Sequence, residues 1–220
     1  MQKVQKVKIG VLVSGSGSNL QSIIDQIEQG WLQAEIKVVI SNNPNAYALE
    51  RAARHNLSVQ VISQLDFYQR EDFDRQMTEV LRACDVELVV LAGFMRVLTP
   101  LFLRSFSGRV MNIHPALLPA FPGMHVQQQA VEYGVKFAGC TVHFVDEGVD
   151  TGPIIIQAVV PVLDDDTADT LAARILREEH VIYPQAIQLY AEGRLKVQGR
   201  KVVVAGFRQS ESKVLHNPSI

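Results

Sequence analysis

The chain has 220 residues, 47% of them apolar, with a formal net charge of −2. That is enough apolar content to fill the core of one large domain. With no dense Lys/Arg block, an extended nucleic-acid surface is disfavoured.

Short β-rich apolar runs alternate with longer amphipathic ones, the pattern of a parallel sheet flanked by helices. Val7 to Val13 reads as a buried strand. After a Ser/Gly loop, Asn19 to Gly30 has Leu20, Ile23, Ile24 and Ile27 at helical spacing and a glycine stop. Ile36 to Ile40 is a second strand, Asn42 to Asn45 a turn, Ala46 to His55 a helix and Val59 to Ile62 a third strand. Tyr68 to Ala83 is a long helix, Leu88 to Ala92 a fourth strand, Thr99 to Phe106 a short helix and Arg109 to Ile113 a fifth strand. A proline-rich loop, Pro115 to Pro122, precedes a helix at Val126 to Tyr133.

The second half then changes character. Ala138 to Val145 and Ile154 to Val160 are joined by a loop too short for a helical crossover, so they should pair antiparallel. Thr167 to Gly193 is a closing helix that Pro184 should kink or divide. A hairpin over Leu195 to Val204 follows, and Gln209 to Ile220 reads as a frayed polar tail. The expected fold is α/β: a single domain over residues 1–208, with a Rossmann-like parallel sheet first and antiparallel strands extending it. Residues 1–110 form the first half, 111–208 the second, and 209–220 the tail.

Cys84 and Cys140 are too few and too far apart for a disulfide framework or a Cys-pair metal motif. The apolar stretch Ile9 to Val13 is too short for a signal-peptide core or a membrane span, so a cytoplasmic protein is expected.

The loop Ser14-Gly15-Ser16-Gly17-Ser18-Asn19 leaves the first strand and enters the first helix. Small residues there let a ligand approach backbone amides, and a helix N-terminus favours an anion. The third glycine of the dinucleotide fingerprint and the P-loop lysine are both missing, so the loop reads as a cradle for a phosphorylated small molecule. The competing reading is a tight turn with Ser18 or Asn19 as helix cap.

Asn112-Ile-His114-Pro115 ends the fifth strand, and Asp150-Thr-Gly-Pro153 follows the sixth. Together they offer an amide, an imidazole and a carboxylate. An amide and an imidazolium can hold a developing oxyanion, and a carboxylate can orient the ring or accept a proton from an attacking amine: the parts of an acyl transfer. Taken alone, Asn-x-His can simply cap a strand and Asp-Thr-Gly-Pro can be an Asx-turn. Their position at the carboxyl ends of strands, where open α/β sheets bind ligands, favours the chemical reading. With Asp150, His114, His125 and His143 raise a metal site, but their spacing matches no standard zinc motif. His143 is expected to face inward from its strand and His125 to support the site from a loop.

Ser14-Gly-Ser-Gly-Ser-Asn19, Leu91-Ala-Gly-Phe-Met-Arg96, Asn112-Ile-His-Pro115 and Asp150-Thr-Gly-Pro153 occur in this order. Ser41-Asn42, Leu117-Leu-Pro119, Glu179-His180 and Tyr183-Pro184 add to them. The combination resembles the folate-dependent phosphoribosylglycinamide formyltransferases, from about Ile9 to Lys196. The resemblance implies transfer of formyl from 10-formyltetrahydrofolate, as cosubstrate, to the amine of glycinamide ribonucleotide in purine synthesis. It implies no metal. With the charge balance and the lack of a long apolar stretch, no nucleic-acid or membrane partner is expected, and the chain should be a monomer or weak homodimer.

By the same resemblance, Asn112, His114 and Asp150 are catalytic, and Gly17, Ser18 and Asn19 hold the substrate phosphate. Glu179 meets the substrate's ribose or amine side. The folate site is expected at Arg70, Met95, Arg96, Val97, Leu98, Asn112, Asp146, Glu147, Gly148, Val149 and Asp150. Family members usually carry a polar residue three positions before the glutamate, where this chain has Leu176. Formyltetrahydrofolate hydrolases share the trio but usually add an N-terminal regulatory domain, and tRNA formyltransferases add a C-terminal RNA-binding one. A chain that starts at its first strand and ends soon after Leu195 is expected to be neither.

Overall fold

The computed structural model describes residues 6–206. Its strands are β1 (Val7–Val13), β2 (Ala34–Ser41), β3 (Val59–Val61), β4 (Leu88–Leu91), β5 (Val110–His114), β6 (Phe137–Phe144), β7 (Ile154–Pro161), β8 (Leu195–Gln198) and β9 (Lys201–Val204). The helices are α1 (Ser18–Glu28), α2 (Tyr47–Arg54), α3 (Arg70–Ala83), α4 (Pro100–Ser105), α5 (Val126–Tyr133) and α6 (Ala168–Ala191). All strands join one nine-stranded sheet in the order β3-β2-β1-β4-β5-β6-β7-β9-β8.

β1 to β5 run parallel, and β6 and β7 continue the sheet antiparallel. Alternate residues feed two cores because both faces are covered by helices. Ile9, Val11 and Val13 of β1, with Leu88 and Val90 of β4, pack toward α1 and α6. Leu12 of β1, with Val89 and Leu91 of β4, packs toward Phe73, Met77 and Leu81 of α3 and Phe102 of α4. Full burial of each such side chain is worth about 1.5–3 kcal/mol over exposure.

Several expectations shift. Ile62 leaves the third strand to bury itself in the α3-side core, although its amide still donates to Ser41 O over 2.9 Å. A 3-10 turn at Gln64–Asp66, capped by Ser63, follows it, and α3 starts at Arg70, with Tyr68 left exposed. Gly17, at φ 70°, stands at the cap position of α1 with no side-chain cap, so neither Ser18 nor Asn19 serves as the cap. α6 runs unbroken through Pro184: Ile182, Tyr183, Pro184, Ala186 and Ile187 are all buried, and that packing outweighs the one hydrogen bond proline cannot make. The extension is not wholly antiparallel, because β9 lies beside β7 and meets it through one parallel pair, Ile154 with Lys201. The tail, Gln209 to Ile220, lies outside the described residues.

The Leu118–Pro119 peptide is cis. The Tyr183 hydroxyl, fully buried on α6, lies 2.8 Å from Leu91 O and 3.0 Å from Met111 O. It ties β4 and β5 side by side just before their functional ends. No helix among the described residues is long and apolar enough to cross a membrane.

Candidate active site

From β1 the chain winds one way to β2 and β3 and the other way to β4 and β5, so a crevice opens at the carboxyl ends of β1 and β4. The Ser14 backbone amide donates to Gly93 O over 3.0 Å, and its hydroxyl donates to Asn42 Oδ1 over 2.6 Å and accepts from the Met95 amide over 2.8 Å. Three strand-end loops are thereby joined at one residue. Beside them lies a cleft of about 470 Å³, bounded by Leu91 and residues 93–98, by Asn112, His114 and His143, by residues 123–127, and by Val145, Asp146 and residues 148–150.

Asn112 and His114 sit two residues apart on β5 and share one face of the sheet. Antiparallel pairing sets His143 of β6 directly opposite Asn112. His143 is 1% exposed, and burial holds its imidazole below the usual histidine range, so the ring is neutral. Its Nδ1 lies 2.9 Å from Phe144 O and must carry the proton, which leaves Nε2 as an acceptor. Asn112 Nδ2 donates to that Nε2 over 3.2 Å. Among the described residues the second N–H of Asn112 has no partner and is open to a ligand.

His114, 4% exposed, has acceptors at both ring nitrogens: Phe121 O lies 2.8 Å from Nε2, and Asp150 Oδ2 lies 3.3 Å from Nδ1. Only the imidazolium donates to both. The expected contact of His114 with a formyl oxygen therefore requires Nε2 to exchange its bond to Phe121. Asp150 Oδ2 also accepts from the Gly123 amide over 2.9 Å. Oδ1 faces the lone pair of His143 Nε2 at 3.8 Å, which is no hydrogen bond, and so keeps its basic lone pairs.

The loop that presents Asp150 is tightly determined. Asp150 adopts φ 54°, a left-handed backbone that costs a non-glycine residue on the order of 1–3 kcal/mol. Phe144 N donates to Pro153 O over 3.0 Å, and a Cβ on Gly152 would stand 1.7 Å from Phe144 O. Only glycine lets the backbone come that close.

At the loop between β1 and α1, a Cβ on Gly17 would lie 2.6 Å from the Ala48 Cβ, so α2 packs straight onto the cradle. Asn19 Nδ2 donates to Glu179 Oε2 over 2.7 Å, and both residues are buried. Burial pushes the Glu179 carboxyl up, against the Asn19 bond and the His114 charge, which pull it down. Glu179 is therefore no solvated helix charge.

At the other end, Arg70 donates to Val97 O over 2.7 Å, and the buried Asp74 accepts from both the amide and the hydroxyl of Thr99, at 2.7 and 2.6 Å. α3 thus clamps the 95–98 segment. Arg96 lies over the Phe73 ring, 4.5 Å from its centroid, and bonds Gln64.

Residues 7–187 match the formyl transferase family. This chain belongs to that family. It is 50% identical, over 88% of its length, to the trifunctional purine biosynthetic protein adenosine-3 of Drosophila melanogaster, of which the match covers 14%. It is 42% identical to the phosphoribosylglycinamide formyltransferase of Escherichia coli (strain K12), covering 92% of this chain and 95% of that one. The crystal structure of glycinamide ribonucleotide transformylase 1 from Symbiobacterium toebii is similar at a TM-score of 0.90 and 51% identity, covering 92% of this chain and 95% of that one. The chain thus spans about one seventh of the length of the insect trifunctional relatives it matches.

Within this formyl transferase, Met95, Arg96, Val97, Leu98, Asn112, His114, Asp146, Gly148, Val149 and Asp150 all line the cleft. Arg70 and Glu147 stand outside its lining, Glu147 3.9 Å from Arg104. Gly17, Ser18, Asn19 and Glu179 form a second group around the start of α1. Leu176 stands about one turn before Glu179 on α6. The cleft also takes Gly123, Met124 and Gln127, which no sequence pattern singled out. His125 lines it too, at φ 57° in the cap position of α5. Among the described residues, no group of three or more His, Cys, Asp or Glu side chains could hold a metal ion.

Proposed function

We propose that this protein transfers the formyl group of 10-formyltetrahydrofolate to the amine of 5-phosphoribosylglycinamide, giving the N-formyl product and tetrahydrofolate in de novo purine synthesis. The observation that carries the reading is the convergence of Asn112, His114 and Asp150 in one cleft, with a free amide N–H and a free carboxylate oxygen among them. The relatives' names support the choice of substrates.

In this reading the pterin lies against Met95–Leu98 and Asp146–Val149, and Arg70 meets the folate tail at the rim. The phosphate rests on the amides of Gly17, Ser18 and Asn19, and Glu179 meets the ribose or amine side. Residues 1–110 hold the phosphate, residues 111–208 supply the trio, and the folate site draws on both halves. The partners are these two small molecules, with no metal.

The neutral amine attacks the formyl carbon, a C–N bond forms, and the carbonyl π pair moves onto oxygen. The free N–H of Asn112 meets that oxyanion. His114 adds to it by giving up the neutral Phe121 carbonyl for a charged acceptor, which makes the stronger bond. Asp150 Oδ1 accepts the proton lost by the amine, directly or through water. The oxyanion then collapses, the bond from the formyl carbon to N10 breaks, and N10 leaves with the proton that Asp150 returns, directly or through water.

Mass analysis of the amine product tests the scheme. With formyl-labelled folate, the label is expected on the glycinamide nitrogen. Label recovered only as free formate would mean that water is the acceptor.

A further inference from the structure

The proposed phosphate cradle contains no cation: Ser14 to Asn19 supply amides and hydroxyls alone, and the first turn of α1 has no charged side chain. A phosphate monoester carries a charge of about −1.5 to −2 near neutral pH, and a helix start offsets only about half a unit. A positive side chain should therefore stand nearby.

α2 brings one. Ala48 N donates to Gly15 O over 3.0 Å, and one turn later Arg51 reaches back to the same loop. Its Nε donates to Ser16 O over 2.9 Å and its Nη1 to Gln21 Oε1 over 3.3 Å. The Gln21 amide is oriented for this by Asp25, at 2.8 Å, and by His55, at 3.1 Å. The Tyr47 ring supports the guanidinium 4.9 Å from its centroid.

Arg51 is half-buried and, among the described residues, no carboxylate pairs with it, whereas Arg54 on the same helix meets Glu50 at 3.5 Å. Its Nη2 makes no bond to the described residues. A second observation points to a hydrogen-bond donor of the same ligand beside its phosphate, which near neutral pH offers acceptors only. Asn19 Oδ1, in the first turn of α1, is buried without a hydrogen-bond partner among the described residues, while its Nδ2 serves Glu179. A buried acceptor without a donor marks where a ligand's donor belongs.

We propose that Arg51 is a substrate-binding residue whose free guanidinium edge takes the phosphate held by Gly17, Ser18 and Asn19. The name of the phosphorylated amine rests on the function proposed above; the phosphate site does not.

The test uses the full chain, with phosphoribosylglycinamide, its dephosphorylated riboside and inorganic phosphate as probes. Arg51→Gln is expected to raise the KM for the phosphorylated amine about 10- to 100-fold, the worth of a hydrogen bond to a charged group, and to weaken inorganic phosphate binding equally. The kcat and the KM for folate stay unchanged. Arg51→Lys keeps the charge but not the fork that Ser16 and Gln21 orient, and recovers only part of the loss. With the riboside, variant and parent protein behave alike. An equal loss on riboside and nucleotide would make Arg51 a structural residue and overturn the proposal, as would unchanged phosphate binding in Arg51→Gln. If the parent protein transfers no formyl group yet binds phosphate in an Arg51-dependent way, the function proposed above falls and the site stands.

Discussion

Asn112 donates from Nδ2 to Nε2 of His143 over 3.2 Å, and this bond decides which end of the Asn112 amide faces the cleft. His143 can accept it only while neutral, with its own proton held by Phe144 O. The Asn112 amide is thus aimed by a buried histidine of the facing strand that also borders the cleft.

His143→Leu is therefore expected to lower kcat about 10- to 100-fold with little change in either KM, since misplacing a reacting group by about 1 Å can cost a hundredfold. Burial depresses the His143 pKa, so protonation, and with it loss of the acceptor, sets in below the ordinary histidine range. An acid limb of kcat that His143→Leu removes, lying below about pH 6.5, is the expected profile. A limb centred above that value would contradict it.

Asn112→Ala removes the donor itself. Loss of one oxyanion donor typically costs about a hundred- to thousandfold in turnover. Steady-state kinetics should show that loss in kcat, with folate binding retained by titration.

Gly152→Ala forces a Cβ to within 1.7 Å of Phe144 O, so the Asp150 loop must move. Turnover is expected to fall about a hundredfold, with a lower melting temperature, at about 2–4 °C per kcal/mol for a domain of this size. An unchanged kcat would show that Asp150 does not depend on this close approach.

Much of this architecture is legible in the sequence, because the alternating β runs and glycine stops record local physics. The antiparallel β6–β7 pair follows from its short loop, whereas the reversal between β5 and β6, across a connection long enough to hold α5, does not. What is not legible depends on distant partners. His143 meets Asn112 through a strand register that neither residue specifies alone. Glu179 reads as an ordinary helix charge until Asn19, 160 positions away, is found against it. Arg51 sits on an amphipathic helix with nothing in its neighbourhood to separate it from Arg54. The left-handed backbone of Asp150 gives no signal in a residue type that fits a common turn equally well.

Glu179 supplies a stability test with a definite sign. Its carboxyl is raised by burial, so the folded chain holds the proton more tightly than the unfolded one. The protonated form stabilises the fold at acid pH, and that contribution is lost as pH rises through the folded value. Glu179→Gln mimics the neutral form and should raise the melting temperature by a few degrees at neutral pH, a gain that shrinks toward pH 4. Activity should fall at the same time. Equal gains at both pH values would mean that the carboxylate charge is not the cause.

The central claim is formyl transfer to an amine through the Asn112, His114 and Asp150 trio. Spectroscopic measurement of tetrahydrofolate release from 10-formyltetrahydrofolate, with and without phosphoribosylglycinamide, tests it most directly. Release that requires the amine and disappears in Asp150→Asn is the predicted result. Release at the same rate without the amine, or undiminished in Asp150→Asn, would contradict it.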